Sequence, residues 1–237
     1  MSLATPLTHL AELRSAESAL ERDLAGRDAA WSRQASALPG WTRAHVVAHL
    51  AGNATGMANL ATWASSGTET PMYPSREVRA DEIERRAALD WAELLADLTA
   101  SVQALDDALQ ALTEPVEARL LRLGSGVPVE AAGLGAARIR EVQIHRVDLA
   151  SDFRASDWDD AFTLRTMGQL APFFAKARDV PVHTLRCADT GHCWQVGRDG
   201  PDLLGTEAEL LAWLIGRPHG TIDTTDKSSL PSAPAWV

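Results

Sequence analysis

Apolar residues recur at helical intervals through the first two-thirds of the chain. From about Pro6 to Leu38, residues Leu10, Leu13, Ala16, Leu20 and Leu24 fall three or four apart, which is one face of an amphipathic helix. Pro39-Gly40 closes that segment. Thr42 reads as the N-cap of a second helix to about Ser65, with Val46, Val47, Leu50, Met57 and Leu60 as its apolar positions. The stretch SSGTETPMYPS then reads as a loop. A third helix is expected from about Arg79 to Leu112, carrying Ile83, Leu94, Leu98, Val102, Leu105 and Leu109. TEPVEARLLRLGSGVPV reads as a link to a fourth helix from about Glu130 to Ala150. Four long helices joined by loops predict a four-helix bundle.

The pattern changes after about Asp152. Trp158 to Ala177 suggests one more helix, and HTLRCADTGHCWQVG two short strands around an Asp189-Thr190-Gly191 turn. Asp202 to Leu204 suggests another strand. Thr206-Glu207-Ala208-Glu209 has the capping-box pattern ahead of the apolar run LLAWLIG, which Gly216 ends. The Pro-rich tail LPSAPAWV finishes with Trp236 and Val237. The expected class is therefore α+β overall: a helical bundle over 1–152, then a small α+β domain over 153–237.

Composition narrows the partners. Of 237 residues, 46% are apolar and 23% charged, enough to bury a core. The net charge of −10 disfavours nucleic acid and anionic membrane surfaces, both of which need a basic face. No apolar run reaches bilayer-spanning length. The start, MSLATPLTHLAELRSAE, has neither the basic nor the apolar region of a cleaved signal, so a cytoplasmic location is expected. Cys187 and Cys193 are too few for a disulfide framework and read as reduced core residues.

The chemistry concentrates on two helices. Glu141 and His145 are four apart, so they share a face at roughly 6 Å and can converge on one divalent cation. Val142, Ile144 and Leu149 bury part of this helix, and a buried carboxylate needs neutralising. The plainer reading is a surface Glu–His pair. His45 and His49 also stand four apart, a spacing known from zinc hydrolases, but Val46 occupies the place of their general-base glutamate. His49, among Val46, Val47 and Leu50, is the better candidate for the bundle interior. One such histidine with Glu141 and His145 makes a His₂Glu set that leaves a coordination position open. Asn53, one turn on, can face the same site. Arg217 follows the last helix; it either complements the helix dipole or clamps a substrate carboxylate. Trp31, Trp41, Trp63 and Trp91 read as packing anchors, and His183 and His192 as surface residues.

The segments LPGWTRAHVVAHLAGNA, NLATWASSGTETPMY, REVQIHRVDLA and LLAWLIGR, in this order, resemble the mycothiol-dependent maleylpyruvate isomerase family over nearly the whole chain. The resemblance implies a DinB-like four-helix bundle that binds a divalent metal, usually zinc, and a small C-terminal α+β module. By their places in the motifs, His49, Glu141 and His145 match the family's metal ligands and Arg217 its catalytic arginine. His45 matches no ligand.

The implied activity is conversion of maleylpyruvate to fumarylpyruvate, in gentisate-type aromatic degradation, with mycothiol as cofactor. A thiolate adds across the cis double bond, the bond rotates, and elimination leaves the trans isomer. Zinc lowers the thiol pKa. Two imidazoles and a carboxylate leave a divalent site at net +1, which one thiolate neutralises. The expected partners are mycothiol and a small dicarboxylate, and the expected state is a monomer. The alternatives are a mycothiol S-transferase acting on other electrophiles and a zinc or thiol sensor without enzyme activity. Metal-assisted hydrolysis ranks last, for want of a general base.

Overall fold

A computed structural model describes residues 7–112, 119–124, 126, 128–176 and 179–234. The chain divides into two compact units, Met1–Ala150 and Ser151–Val237. Among the described residues helices dominate, with two small sheets beside them.

In the first unit the elements are α1 (Leu7–Leu24), α2 (Ala29–Ser32), α3 (Arg43–Ser66), α4 (Arg76–Ala87), α5 (Trp91–Gln110), the hairpin β1 (Leu120–Arg122) and β2 (Pro128–Glu130), and α6 (Leu134–Asp148). Helix α3 packs on α4, α5 and α6, and α1 packs on α5 and α6. So α1, α3, α5 and α6 form the four-helix bundle, and α4 lies against α3. Leu20, Leu24, Val46, Val47, Leu50, Leu94, Leu98, Val142 and Leu149 build its buried core. Burying each such side chain contributes about 1.5–3 kcal/mol before chain entropy is subtracted.

Two helices are shorter than the periodicity suggests. The apolar stripe from Leu10 to Leu24 does not continue to Leu38. Gly26 turns the chain at φ 73°, and Asp28 starts the short α2 by accepting from the Trp31 backbone N–H at 2.8 Å. The segment expected as one helix from Arg79 to Leu112 is two. Asp90 starts α5 afresh, its N–H donating to Glu93 Oε2 at 3.3 Å. The link before the fourth helix contains the antiparallel β1–β2 hairpin, which pairs Leu121 with Val129. Three-residue strands are too short to show alternation, so no pattern announced them. Residues 113–118, 125 and 127 of that link, the first six residues, Ala177 and the terminal Trp236 and Val237 lie outside the described residues.

Helix α6 is fixed by buried charges. Arg138, with no exposed surface, donates from Nε to Glu17 Oε1 at 2.7 Å and from Nη1 to the Leu50 carbonyl at 2.8 Å and Asn53 Oδ1 at 2.9 Å. Two turns later Arg146 Nε donates to Asp23 Oδ2 at 2.7 Å. Arg43 covers the end of α6, donating to the carbonyls of Leu149 and Ala150 at 2.7 and 2.8 Å. The stretch between Arg138 and Arg146 is thereby locked in rotation and register against α1 and α3.

The second unit holds α7 (Asp160–Phe174), β3 (Thr184–Cys187), β4 (Cys193–Gln195), β5 (Leu203–Gly205), α8 (Glu207–Leu214) and β6 (Asp223–Thr224). Its sheet order is β4-β3-β5-β6, with β3 and β5 parallel and the other pairs antiparallel. Helix α8 packs on α7, β3 and β5. Thr206 caps α8, its hydroxyl accepting from the Glu209 N–H at 3.3 Å while its own N–H donates to Glu209 Oε2 at 3.0 Å.

Candidate metal centre

Thr42 begins α3, and His45 completes its cap: Nδ1 of His45 accepts from the Thr42 backbone N–H at 3.2 Å, while Nε2 faces Glu84 Oε2 at 3.4 Å. Both ring nitrogens of His45 are thus engaged at the helix start. One turn further, His49 enters the bundle beside α6. Its side chain is only 4% exposed. The Trp41 ring lies 5.8 Å from it, centroid to centroid, on the side where the chain enters the helix.

Helix α6 supplies the other two groups. Glu141 Oε2 stands 3.1 Å from His49 Nε2 and 3.6 Å from His145 Nε2. The two imidazoles meet edge to face at 4.5 Å. One ligand atom from each of His49, Glu141 and His145 lies within 4.8 Å of the others, so this set can hold a metal ion. Glu141 is the most open of the three at 29% exposure.

The electrostatics match that donor set. Burial, reinforced by His145, pushes His49 down to about 4, so its ring is neutral at neutral pH. Burial pushes Glu141 up, but hydrogen bonds with His145 and His49 outweigh it and hold the carboxyl well below its usual range. Burial pushes His145 down, but hydrogen bonds with Asp148 and Glu141 outweigh it and raise this imidazole.

Sequence reasoning missed three residues here. Asp148, fully buried, meets His145 Nδ1 at 2.8 Å. It therefore fixes the proton on Nδ1 and leaves the Nε2 lone pair to ligate a cation, an arrangement typical of metal-binding histidines. The H-x-x-D spacing on a helix was the available signal. Arg79 of α4 reaches His49 Nδ1 with Nη2 at 3.1 Å. Tyr73 lies under the same guanidinium, 5.7 Å from ring centroid to Cζ, and burial raises its phenol against the opposing charge of Arg79. Tyr73 reaches this place because Met72 lies against Gly56 of α3. A Cβ there would come within 2.8 Å of Met72 Cγ and its carbonyl oxygen.

Asn53, expected as a possible site residue, is committed to Arg138 instead. Arg217 lies in the second unit, two residues beyond the C-cap of α8, with Nη1 donating to the Ile215 carbonyl at 2.8 Å. Cys187 is buried and its thiol is pushed up to about 12 by burial and the charge of Glu207, while Cys193 is exposed. Burial and that neighbouring charge both disfavour the Cys187 thiolate.

The sequence model described as the mycothiol maleylpyruvate isomerase N-terminal domain matches residues 13–150. A crystal structure of a mycothiol-dependent maleylpyruvate isomerase superimposes with a TM-score of 0.90 at 28% identity, covering 98% of this chain and 97% of that one. A histidine-to-alanine mutant of a mycothiol-dependent maleylpyruvate isomerase superimposes with a TM-score of 0.91 at 27% identity, with the same coverage. No curated protein matches the chain.

Proposed function

Since the chain belongs to the mycothiol maleylpyruvate isomerase N-terminal domain family, we propose that it is a mycothiol-dependent cis–trans isomerase converting maleylpyruvate to fumarylpyruvate. The observation that carries this reading is the convergence of His49, Glu141 and His145 on one point, backed by Asp148. Likeness to the two isomerase structures over almost the full length supports it.

In this reading His49, Glu141 and His145 hold a divalent ion, zinc being the one that suits two imidazoles and a carboxylate. When bound, the ion lowers the pKa of a thiol, and the thiol supplies the nucleophile that makes the double bond transiently single. The chain's own residues do the rest. Asp148 orients His145, and the Arg138 and Arg146 anchors keep Glu141 and His145 aligned with His49. Glu141 would bring a site loaded with a divalent ion to net +1, a charge that one thiolate would neutralise. Arg217, assigned by the match of its G-R segment, binds a substrate carboxylate and stabilises the enolate oxygen that forms on addition.

The test follows both substrate and thiol. Zinc-loaded protein given maleylpyruvate and mycothiol is expected to form fumarylpyruvate with no loss of free thiol over many turnovers. Stoichiometric thiol consumption identifies an S-transferase instead. Absence of any thiol-dependent reaction leaves only a binding role.

A further inference from the structure

The two histidines of the centre have opposite neighbours on their outer nitrogens. Nδ1 of His145 meets a carboxylate, Asp148 at 2.8 Å, whereas Nδ1 of His49 meets a guanidinium, Arg79 Nη2 at 3.1 Å. A guanidinium has only donors, so His49 Nδ1 accepts here and its ring proton lies on Nε2, facing Glu141. A neutral imidazole that ligates through Nε2 must instead carry its proton on Nδ1. It would then meet Arg79 donor to donor. Ligation by His49 Nε2 and the Arg79 contact are therefore alternatives, and a metal that takes Nε2 turns Arg79 away.

The guanidinium so released has no acidic partner waiting. Among the described residues its side-chain contacts are His49 and Tyr73, through the ring beneath it and the phenol oxygen, and no carboxylate pairs with it. In a chain of net charge −10 a half-buried arginine without an acidic partner is conspicuous. Its neighbours suit a planar anion: the Tyr73 ring lies under its face, and Gly56 allows Met72 and Tyr73 to sit that close to α3. A guanidinium fork binds a carboxylate through two parallel hydrogen bonds.

We propose that Arg79 is the first unit's carboxylate-binding residue: it rests on His49 Nδ1, is turned away when His49 ligates a metal, and then holds one carboxylate of a small dicarboxylate substrate beside the metal. This rests on the isomerase reading for the identity of the substrate, but the exchange between His49 and a carboxylate stands on the geometry alone.

The experiment compares wild type with Arg79→Gln and Arg79→Lys. Zinc affinity is read by competition with a chromogenic chelator. Maleate, a cis dicarboxylate, is titrated calorimetrically into the zinc-loaded proteins. Glutamine can accept from His49 Nδ1, so Arg79→Gln is expected to bind zinc about tenfold more tightly than wild type. Loss of the charged fork is expected to weaken maleate binding by about tenfold or more, with partial recovery in Arg79→Lys. In turnover, KM for maleylpyruvate should rise by a similar factor in Arg79→Gln while KM for mycothiol is unchanged. Weaker zinc binding in Arg79→Gln, unchanged maleate affinity, or no maleate binding by wild type would each overturn the assignment. If zinc and maleate respond as expected but wild type isomerises nothing, the isomerase reading fails and the carboxylate site stands.

Discussion

Nδ1 of His145 lies 2.8 Å from Oδ2 of Asp148, a carboxylate with no exposed surface. The pair stands one turn apart on α6, so the same helix that presents the ligand nitrogen also sets its tautomer. Replacing Asp148 with asparagine keeps the shape but removes the charge. Metal affinity is expected to fall about 10- to 100-fold, measured by chelator competition, with the fold intact by circular dichroism. An unchanged affinity would make Asp148 merely a structural contact.

His45 and His49 separate cleanly by role. His45 closes the cap on Thr42, so His45→Ala should leave metal content stoichiometric and cost about 1 kcal/mol of stability in urea unfolding. His49→Ala should lose the metal. Metal loss in His45→Ala, or full metal in His49→Ala, would reverse that assignment.

Arg138 is the strongest test of what positions the site. It is fully buried against Glu17, Leu50 and Asn53. Arg138→Met leaves the Glu17 charge buried and unpaired, which is expected to cost about 3–5 kcal/mol. The double variant with Glu17→Gln should recover much of that loss. A single variant as stable as wild type would show that the pair does not hold α6.

The pH dependence of stability should change shape with metal removal. In chelated protein, His49 is held down near 4 against an ordinary 6.5, so the unfolded chain binds its proton first. That contribution is present above pH 6.5 and is lost as pH falls toward 4. His145 is raised, so its contribution is present below 6.5 and is lost as pH rises through its folded value. Stability from this pair is therefore expected to peak near 6.5 in chelator. With zinc bound, both rings are neutral and the alkaline decline should vanish. Thermal unfolding across pH, with and without chelator, reads this directly. An alkaline decline that persists with zinc would contradict it.

Arg217→Ala should keep the metal and lose about a hundredfold or more of kcat. Normal turnover in that variant would remove Arg217 from the reaction.

The bundle and the Glu141–His145 pair were legible because both rest on spacings of three and four along single helices, whereas His49, on another helix, was singled out by its apolar neighbours and by the family resemblance. Leu10 to Leu24, and Glu141 with His145, write their geometry directly into the chain. The breaks after Leu24 and Ala87 were not legible, because apolar spacing continues across them and only the local caps at Asp28 and Asp90 reset the backbone. Arg79 and Tyr73 were hidden for a different reason. They come to His49 through the folding of the TPMY loop and α4 onto α3, and no interval in the sequence encodes that approach. The exclusion of His45 was legible only in part. Its neighbours argued against it, but its use as a capping group needed the structure.

The most direct measurement of the central claim is the zinc X-ray absorption fine structure of loaded protein before and after mycothiol is added. The expected result is two imidazoles and an oxygen ligand, joined on addition of mycothiol by one sulfur at about 2.3 Å. A zinc shell without imidazoles, or one that gains no sulfur at saturating thiol, would contradict it.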